Sequence, residues 1–219
     1  MALTYAVGDI HGSLGKLTRL ITACRQHADG REMILVFLGD YIDRGPDSAG
    51  VVSFILGLQA DSPGRVITLM GNHEAMALGV FDGAMPVSVW LFNGGAATLK
   101  SYGANDVHDL PRAHLDWMRE LRLTYDDGRR FFVHAGIDPD RALQAQDAAA
   151  LLWIREPFLQ EERDYGRLIV HGHTPVTTDE PELHANRLNL DTAAVFGGPL
   201  TAAVFENAQT EPVAFLQAG

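Results

Sequence analysis

Residues 34–48 read ILVFLGDYIDRGPDS. Five apolar residues form a run that suits a strand buried on both faces. The run stops at Gly39, and Asp40, Asp43 and Arg44 follow at once. Asp47 then stands as N-cap before DSAGVVSFILGL (47–58), whose apolar residues suit a helix. A surface turn would tolerate three such charges. So would the floor of a reaction site.

Outward from this stretch, LTYAV (3–7) reads as a strand and Ser13–Ala28 as an amphipathic helix, while RVITLM (65–70) reads as a third strand. That order is βαβαβ, which implies a parallel sheet with helices packed on it. Residues 73–122 read as mostly helical, with HLDWMREL the clearest segment. The pattern then changes. LRLTYDDGRRFFVH (121–134) reads as a hairpin across Asp127–Gly128. GRLIVHG, NRLNLDT, GPLTAAVFE and EPVAFLQ read as short strands. The expected architecture is an α/β sandwich with a mixed second sheet, spanning residues 1–219 as one domain.

The chain has 219 residues, 47% of them hydrophobic, and a net charge of -11. This excludes disorder, and it argues against nucleic acid or an anionic membrane as partner, since both need clustered positive charge. The single cysteine, Cys24, recurs with Leu14, Leu17, Leu20 and Ile21 at helical spacing, so it reads as a buried hydrophobe. With no disulfide to form, a reducing, cytoplasmic setting is expected. The opening MALTYAVGD has no basic segment and does not read as a signal peptide. The uncharged stretch Gly83–Leu99 contains Pro86, Asn93, Gly94 and Gly95, which makes it unsuited to spanning a bilayer. No segment suggests an oligomer interface, so a monomer is expected.

The three early strands exit alike, into GDIHG (8–12), GDYIDRG (39–45) and GNHE (71–74). In open α/β sheets, ligands bind beyond the carboxyl ends of the strands. Asp9, His11, Asp40, Asp43, Arg44, Asn72 and His73 are therefore expected on one rim. Two later strands end in FFVHAG, with His134, and LIVHGHTP, with His171 and His173. Any one of these turns could be structural; five in one short chain point to a site. Three histidines (His11, His134, His173), two aspartates (Asp9, Asp40) and Asn72 make an O/N donor set without sulfur. It suits two divalent ions, Mn²⁺ foremost, with Fe or Zn²⁺ as options. Asp40, central in order, is the natural bridge. His171 is left out of the donor set and reads as a packing residue. In WLFNGG (90–95), Trp90, Leu91 and Phe92 read as core ending at a glycine stop, and Asn93 is given no role.

The ordered set GDxHG, GDxxDRG, GNHE, an isolated His at a strand end and a final GHTP resembles the phosphoprotein phosphatase branch of the calcineurin-like metallophosphoesterases. The likeness is nearest to the bacterial and phage lambda serine/threonine phosphatase type. WLFNGGAATLKSYG (90–103), LLWIR (151–155) and LDTAAVFGGPLTA (190–202) extend it over nearly the whole chain. The resemblance implies two mixed β-sheets flanked by helices. It also implies roles: Asp9, His11 and Asp40 on a first metal; Asp40, Asn72, His134 and His173 on a second; His73 as general acid oriented by Asp43; Arg44, Asn72 and Arg155 on the phosphoryl oxygens. Two positions depart from the pattern. HAG (134–136) replaces HGG, and Ala193 stands where glycine is usual, which would strain a left-handed turn.

The activity expected is direct hydrolysis of phosphate monoesters, with phosphoserine and phosphothreonine in protein, or a small phosphate ester, as substrate. Water activated between the metals attacks phosphorus in line, and His73 protonates the leaving alkoxide. Two divalent ions and two arginines make the pocket locally positive within an acidic surface that is screened beyond about 8 Å at physiological salt. Two alternatives stand beside it. One is symmetrical hydrolysis of diadenosine tetraphosphate, in relatives that often lack the aspartate aiming the acid. The other is a non-catalytic scaffold, which the intact motif set disfavours.

Overall fold

Alternation of side chains along the strands sorts the core into layers, as the period of two requires. The computed structural model describes residues 2–219. Its strands are β1 (Leu3–Val7), β2 (Met33–Phe37), β3 (Val66–Thr68), β4 (Thr124–Asp126), β5 (Arg130–Val133), β6 (Leu168–His171), β7 (Glu182–Leu183), β8 (Arg187–Asn189), β9 (Leu200–Glu206) and β10 (Ala214–Ala218). Its helices are α1 (Leu14–Ala28), α2 (Ser48–Asp61), α3 (Asn72–Phe81), α4 (Val87–Trp90), α5 (Ala96–Tyr102), α6 (Arg112–Arg119) and α7 (Ala148–Trp153), with a π-helical turn at Leu91–Gly95 between α4 and α5.

One five-stranded sheet runs β10-β9-β1-β2-β3, the other β4-β5-β6-β8-β7. β1, β2 and β3 are parallel, with Leu3 opposite Met33 and Leu35 opposite Val66. β5, β6 and β8 are parallel too, and antiparallel β4 and β7 make that sheet mixed. The expected hairpin across Asp127–Gly128 is the β4–β5 pair. The two C-terminal strands depart from a simple second-sheet layout: β9 lies antiparallel on the outer edge of β1, with Leu3 opposite Glu206, and β10 pairs with β9. That pairing links the two ends of the chain, and no local pattern reveals it.

Tyr5 and Val7 of β1 and Ala202 and Val204 of β9 face α1 and α2 in the largest hydrophobic cluster. Their neighbours Ala6, Ala203 and Phe205 face the other way, against Phe132, Val170 and Leu188 of the second sheet. On the far side of that sheet Phe131, Val133 and Ile169 pack on Leu151 and Phe158. Asp47 caps α2 as its position suggested, accepting from the Gly50 N–H. Asp147 caps α7 in the same way from Ala150. Among the described residues no helix is long and apolar enough to cross a membrane.

Candidate metal centre

Because β1, β2 and β3 are parallel, their three exit loops meet at one edge. The loops are tied together. Ile10 and His11 both donate backbone N–H groups to the Asp40 carbonyl, at 3.1 and 2.8 Å, and Asp47 N donates to Gly12 O at 3.0 Å. The exits of β5 and β6 join them, with Gly172 N donating to His134 O at 2.8 Å.

The rim carries unusual backbone. His11, Asp40, Asp43, Arg44 and His173 all have positive φ, at 46°, 51°, 72°, 65° and 66°. Such conformations cost a non-glycine residue about 1–2 kcal/mol each and persist only where their surroundings impose them. At Asp40 the surroundings are supplied by Glu74. Its buried carboxylate accepts N–H groups from Asp40 (3.0 Å), Tyr41 (2.8 Å), Ile42 (3.2 Å) and Gly71 (3.0 Å). Sequence reasoning gave Glu74 no role. A glutamate directly after His73 in a tight strand-to-helix turn was the available signal.

His11 donates Nδ1–H to the Ile42 carbonyl at 2.8 Å, and His134 donates Nδ1–H to the Leu38 carbonyl at 3.0 Å. Carbonyl oxygens only accept, so each ring carries its lone pair on Nε2, and that of His11 accepts from Arg44 Nη1 at 2.8 Å. Asp40 points one oxygen at each ring: Oδ2 lies 3.3 Å from His11 Nε2 and Oδ1 lies 3.4 Å from His134 Nε2. Asn72 Oδ1 lies 2.9 Å from His134 Nε2 and 3.0 Å from His173 Nδ1. The His134–Asn72 approach sets acceptor against acceptor with no proton between them. A cation bound by both removes that repulsion, so the donor set fits metal.

Two groups of donor atoms, each within 4.8 Å of one another, share Asp40: His11, Asp40 and His73, and Asp40, His134 and His173. Neither contains Asp9. Its carboxylate instead accepts the His173 backbone N–H, at 3.1 and 3.3 Å. By distance alone His73 sits with the first group as well as His11 does. His171, as expected, packs: it is buried, with its ring edge-on to Phe158 at 5.0 Å.

Burial, reinforced by neighbouring carboxylates, pushes Asp9 and Asp40 well above the usual carboxylate range. Burial holds His11 and His134 well below the usual imidazole value, and His173 down at about 3. Asp191, which sequence reasoning left out of the site, is a further buried carboxylate acting on Asp9, and burial lifts it to about 6. Several carboxyl groups and uncharged imidazoles thus crowd together, a setting that divalent cations would neutralise.

Asp43 Oδ2 lies 2.7 Å from His73 Nδ1. Trp90 Nε1 donates to both Asp43 oxygens, at 3.1 and 2.9 Å, and Thr98 Oγ1 donates to Oδ1 at 2.6 Å. Burial pushes Asp43 up to about 7, against those hydrogen bonds, and pushes His73 down to about 3. The expectation that Trp90, Leu91 and Phe92 are all core is corrected here. Trp90 is fully buried, but Leu91 is exposed and Phe92 is 91% exposed, because at helical spacing the two residues after Trp90 turn away from the face it buries.

A cavity of about 310 Å³ opens over Asp40, Asn72 and His173, with Arg44 and Arg155 in its lining. Its walls include Trp153, Phe196 and Asn93, so Asn93 reaches the site after all. The Arg44 guanidinium stands 5.6 Å from the Phe196 ring centre, and its Nη1 lies 2.8 Å from His11 Nε2. Ala193, near this wall, has φ 57°, the left-handed conformation suspected from the missing glycine.

A family model described as calcineurin-like phosphoesterase matches residues 3–200. The chain is 31% identical over 208 residues to a serine/threonine-protein phosphatase 1 of Salmonella typhimurium, covering 91% of this chain and 90% of that protein. It is 29% identical over 234 aligned positions to an asymmetrical bis(5'-nucleosyl)-tetraphosphatase PrpE of Anoxybacillus flavithermus, covering 94% of this chain and 92% of that one. It is 32% identical over 151 residues to a symmetrical bis(5'-nucleosyl)-tetraphosphatase of Nitrosospira multiformis, covering 68% of this chain and 49% of that protein.

Proposed function

This chain belongs to the calcineurin-like phosphoesterase family, and from that premise we propose that it hydrolyses phosphate monoesters, acting on phosphoserine and phosphothreonine. One observation carries the choice of monoester. His73 Nδ1 is engaged by Asp43, while Nε2 is buried and has no hydrogen-bond partner. An unpaired polar atom in a sealed site is costly unless a ligand completes it. The nearest acceptor, Asp40 Oδ2, stands 3.9 Å away, beyond hydrogen-bond range, so a proton on Nε2 stays available to the oxygen of a leaving alkoxide.

Asp9, His11 and Asp40 would hold one divalent ion, and Asp40, Asn72, His134 and His173 a second. The oxygen and imidazole donors suit Mn²⁺. When bound, such ions polarise phosphoryl oxygens and lower the pKa of water toward about 7. The chain's own groups do the rest. Arg44 and Arg155, both exposed and both in the cavity lining, grip the non-bridging phosphoryl oxygens, and Asn72 assists. As the P–O bond breaks, His73 Nε2 passes its proton to the departing oxygen and the ring stays behind as neutral imidazole. Asp43 keeps that ring aimed throughout. Its carboxylate favours the cationic ring that burial resists, which suits a group that must surrender its proton. The free chain is proposed to act as a monomer, without nucleic acid or membrane as partner.

A second reading is hydrolysis of a dinucleoside tetraphosphate, the activity for which two of the relatives are named. Trp153 and Phe196 favour it, since these exposed aromatic faces beside two arginines could stack a base. Against it, a nucleotide departs as a phosphate anion and needs no proton, which leaves the Asp43–His73 pair without a task.

The purified protein with Mn²⁺ is to be compared on nitrophenyl phosphate, phosphoserine and phosphotyrosine peptides, and diadenosine tetraphosphate. Highest kcat/KM on the phosphoserine peptide supports the proposal. Preference for the dinucleotide overturns it in favour of the second reading.

A further inference from the structure

The segment 90–98 leaves the helical path at its π-helical turn and then reaches back to the site from both ends. Trp90 at its start and Thr98 at its end put their donors on the same carboxylate, that of Asp43. The indole N–H can only donate, so it favours an oxygen that accepts. Thr98 Oγ1 also accepts the Asp43 backbone N–H at 2.8 Å, which fixes the backbone and the side chain of that residue together. Both residues are fully buried. Between them, Gly94 accepts the Arg44 N–H on its carbonyl at 3.2 Å. Gly94 has φ +109°, and a Cβ there would stand 2.7 Å from Arg44 Cγ. One segment therefore braces both Asp43 and Arg44.

We propose that Trp90 and Thr98 are positioning residues for proton donation by His73: their N–H and O–H hold the Asp43 carboxylate square to His73 Nδ1, so that Nε2 faces the leaving oxygen. This inference rests on the reading of His73 as general acid. In the step they serve, the P–O bond breaks with its electron pair on the ester oxygen, and the proton moves from His73 Nε2 to that oxygen. Neither Trp90 nor Thr98 touches substrate. Loss of either donor loosens the aim of the ring without changing how the phosphoryl group is gripped. The cost falls on kcat and leaves KM in place.

The test uses the Mn²⁺-loaded protein with Trp90→Phe, Thr98→Val and Thr98→Ser, assayed on a phosphoserine peptide or another alkyl phosphate and on nitrophenyl phosphate. Each of the first two substitutions is expected to lower kcat on the alkyl ester about tenfold, and on nitrophenyl phosphate by less than about twofold, with KM unchanged. Thr98→Ser restores the alkyl activity. Equal losses on both esters, or none on either, overturn the proposal. His73→Asn runs in parallel. If it discriminates between the esters and the Trp90 and Thr98 variants do not, the positioning role is wrong. If His73→Asn does not discriminate, the acid reading fails and the proposal with it. Thermal melts accompany the series. Should Trp90→Phe not fold, the Thr98 pair decides.

Discussion

His73 Nδ1 lies 2.7 Å from Asp43 Oδ2, and neither residue is reached by solvent. A general acid held this way contributes where the leaving group is a poor one. His73→Asn is expected to lower kcat on an alkyl phosphate by about a hundredfold or more, with a much smaller loss on nitrophenyl phosphate. Asp43→Asn should move both in the same direction and by less. Parallel steady-state kinetics on the two esters check this; equal losses remove the acid role.

Metal binding is expected to weaken as pH falls. Burial raises the pKa values of Asp9 and Asp40 and lowers those of His11 and His134. Protons therefore compete at the carboxylates first, while the imidazoles stay unprotonated to lower pH. A carboxyl with a raised folded pKa keeps its proton until higher pH, and a cation must displace it. Mn²⁺ affinity should fall as pH drops through the raised range of these carboxyl groups, with protons released on binding. Calorimetric titrations in two buffers of different ionisation enthalpy measure both. Affinity unchanged over that range would contradict the carboxylate ligands.

Glu74 serves four backbone N–H groups with two oxygens, two to each. Glu74→Gln would turn an amide NH₂ toward two of those donors. Stability should fall by about 2 kcal/mol, through donors left unsatisfied. Metal occupancy should fall with it, because the Asp40 loop loses its template. Denaturant melts and elemental analysis read the two effects. Wild-type values in both would show that the loop holds its left-handed residues without the carboxylate.

Ala193 occupies a left-handed conformation, with φ 57° and ψ 41°. Ala193→Gly should stabilise the protein by about 1 kcal/mol, the strain relieved exceeding the added freedom of the unfolded chain. Urea unfolding at constant metal concentration tests it, and a loss of stability would mean that the methyl group packs better than its backbone suffers.

Much of the site was legible because strand exits announce themselves locally. A buried run stopping at glycine before Asp40, and the same form before Asp9 and Asn72, place polar residues at the carboxyl ends of parallel strands. His134 and His173 follow from two further exits. Trp90 and Thr98 were not legible. An indole and a hydroxyl in a helical segment look like packing and decoration, and their partner Asp43 lies about fifty residues away in the chain. Glu74 was overlooked for a similar reason, since three of its four donors belong to residues 40–42.

The sequence by itself determined the layered α/β plan and the set of polar oxygen and imidazole donors at the strand ends. These follow from short-range periodicity and from the chemistry of oxygen and imidazole donors. Only the tertiary structure decided which nitrogen of each histidine faces the site, that Asp40 divides its two oxygens between His11 and His134, that β9 closes on β1, and that Trp90 and Thr98 hold the Asp43 carboxylate. Those relations are made by groups distant in the chain meeting at hydrogen-bond range, and local pattern carries no record of such meetings.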